Sequence, residues 1–582
     1  MKNLLSLYFD PLLRTPFIIL LLFLSTSAVG QDHTAPALHP NPASAREPNT
    51  APARHLSPAP ALHPSPAQRE VIYHVFERSF FDASGDRNGD LKGLEEKLDY
   101  LRQLGVTSIL LTPLYRSVFY HNYFADDWQA IDPAYGSIKD FTNLAKALHS
   151  RGMKLYIDME TQYVTDHHTW WKSAVGNLGS PYRSYILFDD SLHLKPGPII
   201  WGITDLKGYN GASRKVTTVN LRDAGVLAYN EHLFSYFADP NGDGKFDDGV
   251  DGFRLDHAMD DLDNNPRLTD LFTRFWAPLI ARLKDVNPRL TFVAEQANWF
   301  SFGFDYFSKA TIDRVFAFRL AMAINSFDKD QIERAADTTL RQLPAGKEQV
   351  VFIENHDMDR FASRVNKDPG KERIAAVLNI LLGGIPSIYY GQELGMFGAG
   401  GNNRFGTTDA NDIPRREAFE WYAADTGKGM ALWYKDTGPW WDSTNLKPFD
   451  GISLEEERPD PQSLWNWYRQ LLAVRKAHDV LQTGLYDSLA NTNPKVFTWR
   501  RRLAGSTAYL AVNLSDQAQQ ATLASGPPLS HVFGNATYTS GSDRSLINLP
   551  PYGVGIWMTG NAGAFRGNAR QSIAERKDTS NR

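Results

Sequence analysis

Four short segments constrain this chain of 582 residues more than any other feature: YIDME (156–160), GFRLDH (252–257), FVAEQ (292–296) and FIENHD (352–357). Each is an apolar run of strand type that carries a carboxylate at its end, namely Asp158, Asp256, Glu295 and Asp357. One such run alone is an ordinary buried strand with a polar residue at its exit. Four in order, spaced widely enough for helices between them, form the pattern of a (β/α)8 TIM barrel. Such a barrel keeps its chemistry at the C-terminal ends of its parallel strands.

The rest of the chain supplies the matching rhythm. VIYHVF (71–76) opens it, and LKGLEEKLDYLRQLG (91–105) has apolar residues at helical spacing. VTSILLTP (106–113) reads as the second strand and DFTNLAKALHSRG (140–152) as the second helix. Further strands are expected at 154–160, 252–256, 290–296, 314–320, 349–357 and 385–393. Alternating strands and helices of this kind build a parallel sheet with crossover helices. Two excursions break the rhythm, at about 161–225 after the third strand and about 394–460 after the eighth. Loops of that length inside a compact domain usually serve binding.

The helical pattern WNWYRQLLAVRKAHDVL (465–481) closes the barrel, and short strands with turn residues follow. The expected plan is therefore a catalytic barrel over 70–482 with an inserted, protruding domain at about 161–225. A C-terminal antiparallel β-sandwich over 483–560 and a disordered polar tail over 561–582 complete it.

At the N-terminus, Lys2 and Arg14 precede an apolar run, Phe17 to Leu24, and Ala28-Val29-Gly30 stands before Gln31. This predicts a signal peptide over 1–30 and an exported protein, periplasmic or secreted. The run is too short to span a bilayer, so no stable membrane span is expected after its removal. Residues 31–69 form a Pro/Ala-rich linker in which APALHPNPA (35–43) recurs as APALHPSPA (59–67). Complete absence of cysteine excludes disulfides and thiolate metal sites. A net charge of −5 without a basic stripe argues against nucleic acid as a partner. The 14 Trp and 24 Tyr suit the apolar faces of sugar rings. Nothing in the composition sets an oligomeric state.

Two loops carry oxygen ligands at alternate positions. The first holds Asp82, Ser84, Asp86, Asn88 and Asp90; the second holds Asp239, Asn241, Asp243 and Lys245 and runs on to Asp247 and Asp248. Hard cations take six to eight oxygens, and such spacing folds a loop around one ion, so Ca2+ is the expected structural cofactor.

With these motifs in view, residues 70–560 resemble the α-amylase family of glycoside hydrolases, family 13. The order GFRLDH, a strand ending in Glu, then FIENHD carries the resemblance. So do GDRNGDLKGLEEKLDYLRQLGVTSILLTP (85–113), HNYFADDWQAIDPAYG (121–136) and GIPSIYYGQE (384–393). The resemblance implies Asp256 as nucleophile, Glu295 as general acid/base and Asp357 as the carboxylate that grips sugar hydroxyls. It further implies Tyr123, Asp158, Arg254 and His356 as substrate-binding or supporting residues, and a calcium site in the first acidic loop.

The implied activity is retaining hydrolysis of α-glucosidic, mainly α-1,4, bonds in maltodextrins or related α-glucan oligosaccharides. A glucanotransferase using the same intermediate and a non-catalytic glycan-binding barrel are the alternatives. Retention needs two carboxyls about 5–5.5 Å apart, one ionised and one protonated. Arg254, two residues before Asp256, would keep that acid ionised, while Glu295 has no cation close in sequence.

The chain departs from the family pattern in three places. After Asp158 it has Gln162 and Tyr163 where Asn and His are usual, which alters the family's interdomain calcium ligand, although Gln can still coordinate through its amide oxygen. After Asp256, Met259 and Asp260 replace the Lys-His of endo-acting amylases, and Asn220 stands for an acid in the protruding segment.

Overall fold

The computed structural model describes residues 66–401, 403–524 and 526–559. The predicted signal peptide, nearly all of the linker and the 561–582 tail lie outside them. Eight parallel strands close into a barrel in which each pairs with its neighbours in sequence, the eighth returning to the first. They are β1 (Ile72–Val75), β2 (Ser108–Leu111), β3 (Lys154–Met159), β4 (Gly252–Ala258), β5 (Thr291–Gln296), β6 (Arg314–Phe316), β7 (Glu348–Val351) and β8 (Ile385–Tyr389). Their residues are nearly all buried, as expected for strands covered on one side by helices and on the other by the barrel's own filling. No helix among the described residues is long and apolar enough to cross a membrane.

Several expected elements differ in extent, and the strands expected at 349–357 and 385–393 end at Val351 and Tyr389. The helix over 91–105 is two pieces, Leu91–Glu96 and Leu98–Leu104, parted at Lys97, whose ammonium sits 3.8 Å from the Phe81 ring centroid and 4.4 Å from that of Trp421. The expected strand at 314–320 stops at Phe316, and a helix runs from Phe318 to Ser326. Leu320, Ala323 and Ile324 are buried there at helical spacing, which overrides the strand-like run of apolar residues. The expected helix over 465–481 is Leu464–Ala477, and a separate turn of helix follows at Asp479–Thr483.

The excursion after β3 carries a small antiparallel sheet of Tyr163–Thr165, Ser213–Thr218 and Asp205–Lys207. The excursion after β8 packs back over the loop after β1. There Trp421 Nε1 donates to Phe80 O (2.6 Å) and Trp433 Nε1 to Ser79 Oγ (2.8 Å). Beyond the barrel, strands from Leu485 to Met558 form a five-stranded and a three-stranded antiparallel sheet. A shared apolar cluster including Val496, Ile547 and Trp557 joins the two sheets.

The two ends of the barrel divide the labour. At the strand starts, Arg314 donates two hydrogen bonds to Glu70, to Oε1 at 3.1 Å and to Oε2 at 3.0 Å. Ser108 and Lys154 add bonds to the same carboxylate. Burial alone would push Glu70 up, but Arg314 and Lys154 hold it at about 2. Its folded value lies below its unfolded one, so this contribution is full above the unfolded value of 4.5 and is lost as pH falls toward 2. Glu70→Ala takes from buried Arg314 the carboxylate that accepts two of its hydrogen bonds, leaving it the Tyr156 hydroxyl and the charge of Glu348. Urea unfolding at pH 7 is expected to show a loss of about 3–5 kcal/mol, and a loss below about 1 kcal/mol would refute this account of the barrel base.

Candidate active site

At the opposite end, β3, β4 and β5 deliver three carboxylates to one guanidinium. Arg254, on β4, is 1 % exposed. Its Nη1 donates to Asp158 Oδ2 and, at 2.5 Å, to Asp256 Oδ1, while its Nη2 lies 3.0 Å from Glu295 Oε2. Glu295, which has no cation near it in sequence, thus meets one in space, and Arg254 is shared rather than reserved for Asp256.

The backbone makes this convergence possible. The β4–β5 register slips between Ala294/Leu255 and Gln296/Ala258, a bulge that falls on Asp256 and His257 opposite Glu295. Bulges re-aim side chains at barrel rims. His257 takes φ 43°, and its N–H turns to Glu295 Oε2 at 3.1 Å.

Asp357 lies past the end of β7. His356 Nε2 is 3.1 Å from its Oδ2 and Arg416 Nη2 is 3.0 Å from its Oδ1. Tyr123 ties the two halves of the site: its hydroxyl donates to Asp158 Oδ2 (2.7 Å) and lies 2.7 Å from His356 Nε2, and its ring stacks on the His356 ring. All seven residues singled out as catalytic or substrate-binding therefore meet in one cluster. A cavity beside it is walled by Tyr123, Glu160, Asp256, His257, Asp357 and Arg416, among others.

The acids differ in proton affinity. Burial raises Asp256 to about 6 and Glu295 to about 7, against the pull of Arg254 on each. Asp158 rises to about 7 for the same reason. Burial would raise Asp357 too, but His356 and Arg416 hold it well below the usual carboxylate range. One guanidinium cannot keep three buried carboxylates ionised, so the cluster retains a proton near neutral pH, shared among coupled groups. Arg254 offsets the rise of Asp256 without reversing it.

One member of the site, Arg416, had no sequence signal, and others that lay in or beside the motifs were not assigned a role. Arg416 comes from the irregular excursion after β8 and anchors its own position through Nε to His356 O (2.9 Å) and Nη1 to the Tyr120 hydroxyl (3.1 Å). Tyr163 and His257, both in the cavity wall, are joined by Asp263. The Tyr163 hydroxyl donates to its Oδ2 (2.7 Å), and His257 Nε2 lies 3.0 Å from its Oδ1. Gln162 spends both ends of its amide inside the protein: Nε2 donates to Asp256 O (2.5 Å), and Oε1 accepts from Thr161 N (2.7 Å). It ties the end of β3 directly to the backbone of Asp256.

The acidic loops are arranged differently from each other. In the first, Asp82 accepts the backbone N–H of Gly85 and Arg87, Asp86 that of Asn88, and Asp90 those of Ala83, Ser84 and Gly93. Ser84 Oγ donates to Asp82, and Asn88 Oδ1 accepts from Arg78. In the second, Asp239 accepts from Gly244 N, and Asn241 Oδ1 from Asp243 N. Asp243 takes both the backbone N–H and the ammonium of Lys245. Asp239 Oδ1 and Asp248 Oδ1 are buried and have no partner. Among the described residues, no three His, Cys, Asp or Glu side chains converge as a metal cluster.

A model of the alpha-amylase catalytic domain matches residues 74–270 and 286–484. The chain is 27% identical over 458 residues to alpha-amylase 3 of Dictyoglomus thermophilum, covering 76% of this chain and 84% of that protein. It is 28% identical over 415 residues to the 4-alpha-glucanotransferase of Thermotoga maritima, covering 67% and 84% respectively. Among solved structures, the alpha-amylase from H. orenii superposes with a TM-score of 0.69 at 25% identity, covering 84% of this chain and 99% of that one.

Proposed function

The chain belongs to the α-amylase family, and from that premise we propose that it is a retaining glycosidase of α-linked gluco-oligosaccharides, mainly of α-1,4 bonds. The observation that carries the reading is the Arg254 fork, which holds Asp256 and Glu295 on adjacent strands, both raised by burial so that the cluster keeps a proton near neutral pH. Asp256 attacks the anomeric carbon. Glu295 protonates the departing oxygen and then takes the proton from the incoming water. Asp357, kept ionised by His356 and Arg416, accepts sugar hydroxyls and faces the positive charge of the transition state. A glucanotransferase with the same intermediate is the second reading, favoured by the relative of that name.

Digestion of maltoheptaose, followed by NMR, is expected to show the α-anomer as first product; a β-anomer would exclude the double displacement. Asp256→Asn should lower kcat by about four orders of magnitude with the unfolding midpoint kept. Substantial residual turnover would remove Asp256 from its role. The reaction needs Asp256 ionised and Glu295 protonated. The rate should therefore fall as pH drops below about 6 and as it rises above about 7. A kcat/KM profile flat from pH 5 to 8 would contradict this assignment.

Calcium is proposed as a structural ion. The better-supported loop is 239–248, where Asp239 and Asp248 each leave a buried oxygen without a partner and Asp243 stands between them in sequence. Lys245 lends its backbone, although its ammonium competes for Asp243. The 82–90 loop is the second candidate, its carboxylates already drawn onto backbone N–H groups. An ion that binds only the folded chain stabilises it by mass action. Exhaustive chelation should lower Tm by a few degrees and added Ca2+ should restore it; an unchanged Tm would count against both loops. Export is proposed on the N-terminal composition, including Phe17–Leu24 and the small residues Ala28 and Gly30.

A further inference from the structure

Glu160 is a buried acid that the reaction just described does not use. It lies in the wall of the cavity that Asp256 also lines, and it is 2 % exposed. Its backbone is held from three sides: the Tyr115 hydroxyl donates to Glu160 O (2.8 Å) and accepts from Glu160 N (2.9 Å), and Trp128 Nε1 donates to the same carbonyl (2.9 Å). Its side chain is held as firmly, because Oε1 accepts the backbone N–H of Gln162 (2.6 Å) and of Tyr163 (3.0 Å). Only Oε2 remains, and it is buried without any hydrogen-bond partner.

A buried carboxyl oxygen with no partner is costly, and an apolar side chain of the same size would fill the space without that cost. Among the described residues no group bonds this atom, and Glu160 lines the cavity over Asp256, where the proposed reaction places a sugar ring. We propose that Glu160 is a specificity-determining residue of the glycosidase site, its free Oε2 kept for one hydroxyl of the sugar whose bond is cleaved. This rests on the hydrolase reading and deepens it.

The chemistry suits a hydroxyl. Burial, reinforced by the charge of Asp256, pushes Glu160 well above the ordinary carboxylate range, so it stands neutral beside the ionised Asp256. A neutral carboxyl both donates and accepts, as a sugar hydroxyl does, and adds no second negative charge next to the nucleophile. Gln162 and Tyr163 hold Oε1 through their backbone N–H groups, so the seat of Glu160 is set by the turn of the chain after β3 and not by those two side chains.

The test uses the full chain and 4-nitrophenyl α-glucoside with its 2-, 3-, 4- and 6-deoxy analogues. Glu160→Leu is expected to lower kcat/KM on the parent glucoside by about 10- to 100-fold. Exactly one deoxy analogue should be equally slow with wild type and variant, because the hydroxyl and its partner are then both absent. Glu160→Gln, which keeps a donor and an acceptor in the same shape, should recover most of the loss. If Glu160→Leu slows the parent and every analogue by the same factor, the side chain acts only through the fold and the proposal fails. An unchanged rate on the parent fails it too. Should Glu160→Leu not fold, the coupling is read from Glu160→Gln across the same analogues, with the same two failing outcomes. If the wild type cleaves no α-glucoside, the hydrolase reading falls separately. The comparison is then made by calorimetric binding of glucose and the deoxy sugars to wild type and variant, where equal losses for every sugar again reject Glu160.

Discussion

One guanidinium organises the reactive end of the barrel. Arg254 reaches Asp158, Asp256 and Glu295 from a position with almost no solvent contact. Three carboxylates packed without it would repel one another and stay protonated. With it, their affinities are spread rather than erased, and an acid and a base coexist near neutral pH. The spread depends on which oxygens the fork reaches, so the bulge at Asp256 and His257 is part of the electrostatics as well as of the backbone.

A second cation completes the division. Arg416 enters from the excursion after β8 and, together with His356, holds Asp357 ionised in its buried position. The same guanidinium donates to the carbonyl of His356, so the loop that supplies it also holds the strand-end segment in place. Across the barrel, at the strand starts, Glu70 and Arg314 form a buried pair far from this chemistry. Stability and reactivity sit at opposite ends of the same strands, as the architecture favours.

The first motif shows how a substitution can be rebuilt rather than lost. Gln162 ties β3 to the backbone of Asp256 with its own amide, and Tyr163 is bridged to His257 by Asp263. Both amide ends of Gln162 are engaged within the protein. The residues at the places of the usual Asn and His serve as internal connections beside Glu160 in the cavity wall.

The barrel, its eight strands and the C-terminal sheets were legible in the chain because each rests on local periodicity: apolar runs ending in an acid, then helical spacing, then short alternating strands. Asp158, Asp256 and Glu295 were legible for the same reason, since each lies at the end of a strand, and Asp357 because its apolar run leads to it six residues past the end of β7. Where local patterns conflicted, as at 314–326, burial chose helix over strand. What the sequence could not state was which charges meet. Glu295 lacks a cation within its own segment yet shares Arg254 from the adjacent strand, and Arg416 reaches Asp357 from far along the chain. Side-chain type and spacing along one strand are one-dimensional facts that a sequence determines by itself. Proton affinity is set by burial and by charges a few ångströms away in any direction, and only the closed barrel decides those.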